Sequence, residues 1–485
     1  SGSTPAATAT IVPSTKIPVT SGGVGTTVVN GQLIGISDGT AAFDTNRTDG
    51  SLKKQAATAL AANNIGSAQT LWRSASGQDS SDAEPLIYQE NQRVKISGSP
   101  YITFVVGTIL TGSAADVQVG RDSLQGAYIA QKEFNTRNAG GIQARLLIAN
   151  SGIDANDVAT VANQIVQAAA KDPTIVGVMG WPYSGLTQDA LNILGPAKIP
   201  MVSSTASSDA LTGASPYFFR VAPPDKSQSA VGAAYSQKTL HAKNVAVFTD
   251  TANSYSQSLA SGFSQQFSGG KVNTVNYTVG DAASISTALK QAMSNTPAPD
   301  LIYFAGYSAD VSILLKDLPS SSNVQIMGGD ALYNLGGYPS GTPGVTRLHF
   351  TAFAYPDEWA ILGYASKKPA FFTDYPKTYG GRNHSGGPYG YTRAGYNVVL
   401  SFDATLALLD AGKNGLGTQT SGLTPDKLKA ALLNINGAKA IQGVSGQISF
   451  GSDGDPVNKA VITMHVATGG NQMDPQLGAG KFLVG

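Results

Sequence analysis

The sequence predicts an α/β protein of two doubly wound lobes, each built on a parallel sheet, with a helical extension ahead of them. Three observations carry this. From Tyr101 onward apolar strands alternate with amphipathic helices, the pattern of repeated βα units. The alternation stops at VAPPD (221–225), begins again at 244 and stops once more at FAYPD (353–357), where proline holds a crossing segment extended. At 485 residues the chain also exceeds what a single core serves, so two or three domains are expected.

Residues 1–50 are rich in Ser, Thr and Gly, with β-like patches at 25–30 and 32–36, and read as a tether with some local order. Residues 51–97 differ. Apolar residues fall at helical spacing within 52–62, 65–76 and 83–94 (Leu60, Ala68, Leu71, Trp72, Ala75, Leu86, Tyr88), with Asp82 as an N-cap. The block resembles one tetratricopeptide-like helical hairpin, too few units for an independent solenoid, and is expected to cover a lobe. The first lobe then takes strands at 102–110, 144–150 and 174–179 with helices at 123–135 and 154–171. The second takes strands at 244–249, 274–278, 301–305 and 325–328 with helices at 256–267 and 284–293. Helices at 395–410 and 425–433 follow, and VSGQISFGSDGDPVNKAVITMHV reads as two strands joined by a Gly/Asp turn. This assigns 98–223 and 354–444 to lobe 1, and 224–353 and 445–485 to lobe 2.

Composition narrows the function. The 32 basic and 31 acidic residues nearly cancel and form no dense basic cluster, which argues against nucleic acid and anionic membranes as partners. Only 13% of residues are charged, a composition commoner in exported proteins, and the opening SGSTPAATAT looks like the polar spacer left when a signal peptide is removed. There is no cysteine, hence no disulfide, thiolate metal site or Cys nucleophile. GISDG (35–39) satisfies the G-x-S-x-G pattern, but no helix follows the serine as a nucleophile elbow requires. The four histidines, His241, His349, His384 and His465, have no zinc-binding spacing, and the Asp453-Gly-Asp455 turn lacks the other ligands of a calcium loop. Neither a metal nor a cofactor is expected, nor an enzyme.

The stretch TIVGVMGWPYSGLTQDALNILGPAKIPMVSSTASSDAL (174–211) places two apolar strands side by side, each ending in a hydroxyl-rich loop that opens a helix. In an open α/β sheet ligands bind at such carboxyl ends, where backbone N–H groups are free. Ser184, Thr187, Ser207 and Ser208 add hydroxyls, while Gly185 and Ala206 leave the backbone approachable. This is a cradle for an anion.

From Tyr101 to the end the chain resembles the type I periplasmic binding proteins, in the leucine/isoleucine/valine-binding branch that serves ABC importers. The resemblance rests on GTILTGSAADVQVGRDSLQGAYIAQKEFN, NAGGI, GWPYSGLTQ, IPMVSSTASSDAL and SGQISFGSDGDP, in that order. It implies two lobes joined by a three-strand hinge that closes over a small, branched-chain-like amino acid. Ser184, Ala206 and Ser207 match the family's carboxylate-holding positions, and Asp330, after VQIMGG, matches the acid that meets the ammonium, where the family often has Glu. Tyr307 and Tyr255 match aromatic residues that close over the ligand. Trp181 and Tyr183 replace smaller residues in the first loop and, with Tyr333, would shrink the pocket or stack on an aromatic ligand; Val117 and Val119 match an apolar wall. The implied partners are a small zwitterion and the permease and ATPase subunits of an importer. The implied setting is an extracytoplasmic monomer, in the periplasm or tethered at the cell surface as a lipoprotein. The alternatives are the ligand-sensing lobe of a signalling receptor, or an amide or aromatic small molecule bound on the same fold.

Overall fold

The computed structural model describes residues 15–381, 389 and 391–485. The first lobe is built on seven strands: β1 (Gly25–Val29), β2 (Gln32–Ser37), β3 (Tyr101–Thr108), β4 (Gln143–Asn150), β5 (Ile175–Met179), β6 (Met201–Ser203) and β7 (Phe218–Arg220). Their order is β1-β2-β4-β3-β5-β6-β7, parallel from β4 to β7. The second lobe holds β8 (Asn244–Thr249), β9 (Lys271–Asn276), β10 (Leu301–Phe304), β11 (Gln325–Gly328) and β12 (Leu348–Ala352). After a small ribbon of β13 (Ile441–Gly443) and β14 (Gly446–Ile448), the chain returns to that lobe as β15 (Val461–Ala467) and β16 (Gly470–Ala479). The second sheet runs β16-β15-β12-β11-β10-β8-β9, parallel except for the last two strands in sequence.

The expected tether at 1–50 is corrected over its described part. Strands β1 and β2 form a hairpin that joins the edge of the first sheet, β2 pairing antiparallel with β4. The turn is Asn30-Gly31 with φ of 49° and 78°, the left-handed pair that a two-residue hairpin favours. Ile34 and Ile36 are fully buried against Leu147 and Ala149, so burial of one strand face fixes the register. Residues 1–14 of the expected tether lie outside the described residues.

Residues 50–97 form three helices, Gly50–Ala61, Ile65–Gln78 and Ala83–Ser97, over the three runs of helical spacing and one more than the single hairpin they resemble. Asp82 caps the third, accepting from the Glu84 N–H at 3.1 Å. The block has no core of its own: Trp72, Ile87 and Tyr88 share one with Phe43, Phe104 and Leu124 of the lobe. The Asn91 amide also donates to the Leu146 carbonyl of β4 at 2.6 Å, a buried bond that fixes the third helix on the sheet. The reading as one strand pair at the C-terminus is likewise corrected. Strand β14 pairs with β13, whereas β15 joins the second sheet between β12 and β16.

The chain passes between the lobes at 221–224, 353–357 and 449–460. Arg220, fully buried, ties the first passage to the third through Asp455 at 2.7 Å and donates to the Ala206 and Ser208 carbonyls at 3.2 and 2.8 Å. Beneath the second and third passages, buried Lys459 donates to the Ser445 carbonyl at 3.0 Å, and Asp403 accepts the Val444 and Ser445 N–H groups, both at 2.8 Å. Glu358 lies beside this pair, and burial pushes its carboxyl up to about 8.

Candidate functional site

The carboxyl ends of both sheets face a cleft, as open α/β sheets arrange their ligand sites. On the first lobe β5 ends at Met179 and the chain passes Gly180, whose φ of 139° and 2.0 Å clearance between a built Cβ and the Gly107 carbonyl oxygen admit no side chain. The helix Ser184–Leu194 then opens, its first intrahelical bond running from the Thr187 N–H to the Tyr183 carbonyl. The N–H groups of Ser184, Gly185 and Leu186 therefore have no acceptor within the helix. Hydroxyls lace this loop to the one after β6. The Ser184 hydroxyl accepts from the N–H groups of Ser207 and Ser208 at 3.2 and 3.0 Å, and Thr205 donates to the Pro182 carbonyl at 2.7 Å.

On the second lobe Asp330 follows β11. It is 4% exposed and accepts from the Gln228 amide at 2.9 Å, the Tyr255 hydroxyl at 3.0 Å and the Tyr396 hydroxyl at 2.9 Å. Burial pushes its carboxyl up, and the bonds from Gln228, Tyr396 and Tyr255 pull against that shift. Gln228 also donates to Asp225 at 2.8 Å, a second, fully buried acid that burial holds well above the usual carboxylate range.

The lobes touch across the cleft. Ser254 donates to Ser208 at 2.8 Å, the Asp209 N–H to Ser258 at 2.8 Å, and the Asn334 amide to the Ala115 carbonyl at 3.2 Å. Between them lies a small cavity with about 40 Å³ of room for the centres of water-sized molecules. Its walls are Val119, Pro182, Tyr183, Ser184 and Thr205 from the first lobe, and Tyr255, Tyr307, Asp330, Ala331 and Asn334 from the second. Tyr396 and Asn397 complete it. They open the helix Tyr396–Leu416, which packs so closely on the first lobe that a Cβ on Gly126 would meet the Val398 carbonyl oxygen at 2.3 Å. Among the described lining residues Asp330 is the one charged side chain.

Of the residues singled out from sequence, Tyr183, Ser184, Tyr255, Tyr307 and Asp330 line this cavity, as does Val119. Three of the tyrosines form a chain across the cleft, Tyr183 to Tyr307 at 5.3 Å and Tyr307 to Tyr255 at 5.4 Å between ring centres. Trp181, Thr187, Ala206 and Ser207 do not line it. Trp181 turns into the lobe core, fully buried, with its indole N–H donating to Ser151 at 2.9 Å. Thr187 spends its hydroxyl on the Trp181 carbonyl at 2.8 Å, Ala206 donates its N–H to Ser203, and Ser207 is fully buried behind Thr205 in sequence. Tyr333 lies under the wall, stacked on Tyr396 at 5.1 Å, and Val117 borders a neighbouring groove. Sequence reasoning missed Pro182, Thr205, Ala331, Asn334, Tyr396 and Asn397. The position of Asn334, one turn after Asp330, was a usable signal; for Tyr396, some 66 residues from Asp330 in sequence, there was none.

The sequence model of the periplasmic binding protein family matches residues 102–471. The chain belongs to the periplasmic binding protein family. Solved structures with this fold include a leucine binding protein from Thermotoga maritima, 24% identical, covering 77% of this chain and 97% of its own, with a TM-score of 0.64. A branched-chain amino acid transporter substrate binding protein from Streptococcus pneumoniae, in complex with isoleucine, is 20% identical over 77% of this chain and 99% of its own, with a TM-score of 0.63. A solute binding protein of an ABC transporter from R. palustris, in complex with benzoate, is 16% identical over 80% and 98%, with a TM-score of 0.61. No curated protein sequence matches the chain. As a periplasmic binding protein it has the two-lobed α/β architecture expected from sequence, and its helical extension lies ahead of the matched region. Among the described residues no helix is long and apolar enough to cross a membrane.

Proposed function

We propose that this chain is the extracytoplasmic solute receptor of an ABC importer and binds a small amino acid in the interlobe cavity. The observation that carries the reading is Asp330, the one charged side chain among the described lining residues, facing the N-terminal end of the Ser184–Leu194 helix from the other lobe. A carboxylate on one wall attracts an ammonium group, and a helix end with free N–H groups attracts a carboxylate. In this reading the Ser184 hydroxyl and the first N–H groups of its helix hold the ligand's carboxylate end, while Asp330, positioned by Gln228, Tyr255 and Tyr396, holds its ammonium. Tyr183 and Tyr307 cover the side chain, since aromatic rings present an apolar face with a polar tip.

Hinge rotation about the three passages opens and closes the cleft, and the closed form is the one handed to a permease and its ATPase. The solved relatives named above bind leucine, isoleucine or benzoate, so the fold accepts both amino acids and an aromatic acid. Asp330 favours the former, because a buried carboxylate repels a ligand that is purely anionic. The test is mass spectrometry of small molecules released by denaturing the purified protein. Release of an amino acid supports the reading, and release of an aromatic acid without an amino group sinks it.

A further inference from the structure

The helical extension carries a buried ionic cluster that solute binding does not use. Five carboxylates, Asp44, Asp49, Asp79, Asp82 and Glu84, meet three cationic side chains, Arg47, Lys53 and Arg121. Four of the acids are paired. Asp44 takes Arg121 at 2.7 Å, Asp79 takes Arg47 at 2.8 Å, Asp82 takes Lys53 at 2.9 Å, and Glu84 takes Lys53 at 2.7 Å. Asp49 is the exception. It is 0% exposed, and neither carboxylate oxygen has a hydrogen-bond partner.

The placement of Asp49 sharpens the point. It is the N-cap of the helix Gly50–Ala61, where an aspartate ordinarily accepts from the N–H groups of its own first turn, yet its side chain makes no such bond. Its carboxylate instead joins those of Asp79 and Asp82, and one oxygen from each of the three lies within 4.8 Å of the other two. A cation about 2.3–2.6 Å from each oxygen, the usual Ca²⁺ distance, holds its ligands at such separations. The donors are all carboxylate oxygens, which suit hard cations rather than thiolate- or imidazole-seeking metals. Charge points the same way. Five acids against three bases leave an excess of two negative charges around the fully buried Asp49, and one divalent ion cancels it.

We propose that Asp49, Asp79 and Asp82 hold a hard divalent cation, of the Ca²⁺ or Mg²⁺ type, that fixes the loop between the second and third helices of the extension. That loop adds two hydrogen bonds to the apolar contacts that dock the extension on the first lobe. Gln125 donates to the Ser81 carbonyl at 2.8 Å, and Ser80 donates to the Tyr379 carbonyl at 3.0 Å. The ion is structural in this assignment and stands apart from the cleft. The competing arrangement needs no ion: burial and the neighbouring Asp82 push the Asp49 carboxyl up to about 8, so that Asp49 is protonated and shares its proton with Asp82.

The experiment is elemental analysis of the full chain, followed by thermal unfolding in EDTA, in CaCl₂ and in MgCl₂. One divalent ion per chain is expected, with a melting temperature that falls by several degrees in EDTA and recovers with the ion. Asp49→Asn is expected to abolish that response, and a substitution at the exposed Asp453, Asp453→Asn, to keep it. A chain with no bound divalent ion and a melting temperature insensitive to EDTA overturns the proposal without any variant needing to fold. An Asp49→Asn protein that keeps the wild-type response to added ion also overturns it.

Discussion

Replacing Asp330 by Asn removes the charge from the cavity wall while keeping its volume, and its effects on binding and on folding have opposite signs. The Asn oxygen still accepts from Gln228 and Tyr255, and the Tyr396 hydroxyl can turn to accept from the new amide. On the proposed function, what is lost is the partner of the ligand's ammonium. Truncating one member of a desolvated charge pair costs about 2–5 kcal/mol, or about 30-fold to several thousand-fold in Kd at ~1.4 kcal/mol per tenfold. Folding responds the other way. Burial raises the folded-state pKa of Asp330 above the ordinary aspartate value of 3.8, so between the two the folded chain holds a proton that the unfolded chain has lost. Stability therefore falls as pH rises through that window and stays lower above it, and Asn removes the loss. Calorimetric titration and thermal unfolding of ligand-free Asp330→Asn should show weaker amino-acid binding together with a neutral-pH melting temperature at or above that of wild type. Unchanged affinity would refute the ammonium role. Weaker binding with a lower melting temperature would mean that the substitution acts through the fold.

Four further outcomes are expected. Amino-acid affinity should weaken as pH falls through the raised pKa of Asp330, because the protonated acid no longer pairs with an ammonium; a flat affinity profile down to the ordinary aspartate value of 3.8 would contradict this. Ser184→Ala leaves the N–H groups of Ser207 and Ser208 without their acceptor, at about 1–3 kcal/mol each if they stay unpaired, so the ligand-free melting temperature should drop; no change would assign Ser184 to the ligand alone. Trp181→Phe should destabilise by about 1–3 kcal/mol through a core gap and loss of the Ser151 bond, with ligand affinity of the folded protein preserved; a tenfold change in Kd would place the ring in the cavity. Glu358→Gln should flatten the decline in wild-type stability between pH 4.5 and about 8, since that carboxyl is raised by burial and ionises at a loss as pH rises; identical pH–melting profiles would count against it.

The order of strands and helices from Tyr101 was legible because βα alternation is local and strongly periodic. The β1–β2 hairpin was not assigned, although Asn30-Gly31 between two apolar patches is a strong hairpin signal. Its burial depends on pairing with β4, more than a hundred residues later, which no local pattern encodes. The site divides along the same line. Asp330 and Ser184 fall at strand or helix ends, where position nearly fixes direction. Trp181 and the 205–207 loop turn on side-chain orientation within irregular backbone, so Thr205 faces the cavity while Ala206 and Ser207 face inward. Tyr396 and Asn397 reach the cavity only because the second passage carries their helix back to the first lobe, a consequence of topology rather than spacing.

A cavity that recognises a zwitterion through Asp330 must bind an amino acid more tightly than the same acid without its amino group. The most direct measurement is calorimetry of refolded, ligand-free protein against a panel of amino acids and the matching carboxylic acids that lack the amino group. One-to-one binding of at least one amino acid is expected, with its des-amino counterpart weaker by at least about 30-fold, the lower bound for losing a desolvated charge pair. A des-amino acid that binds as tightly as, or more tightly than, every amino acid in the panel would contradict it.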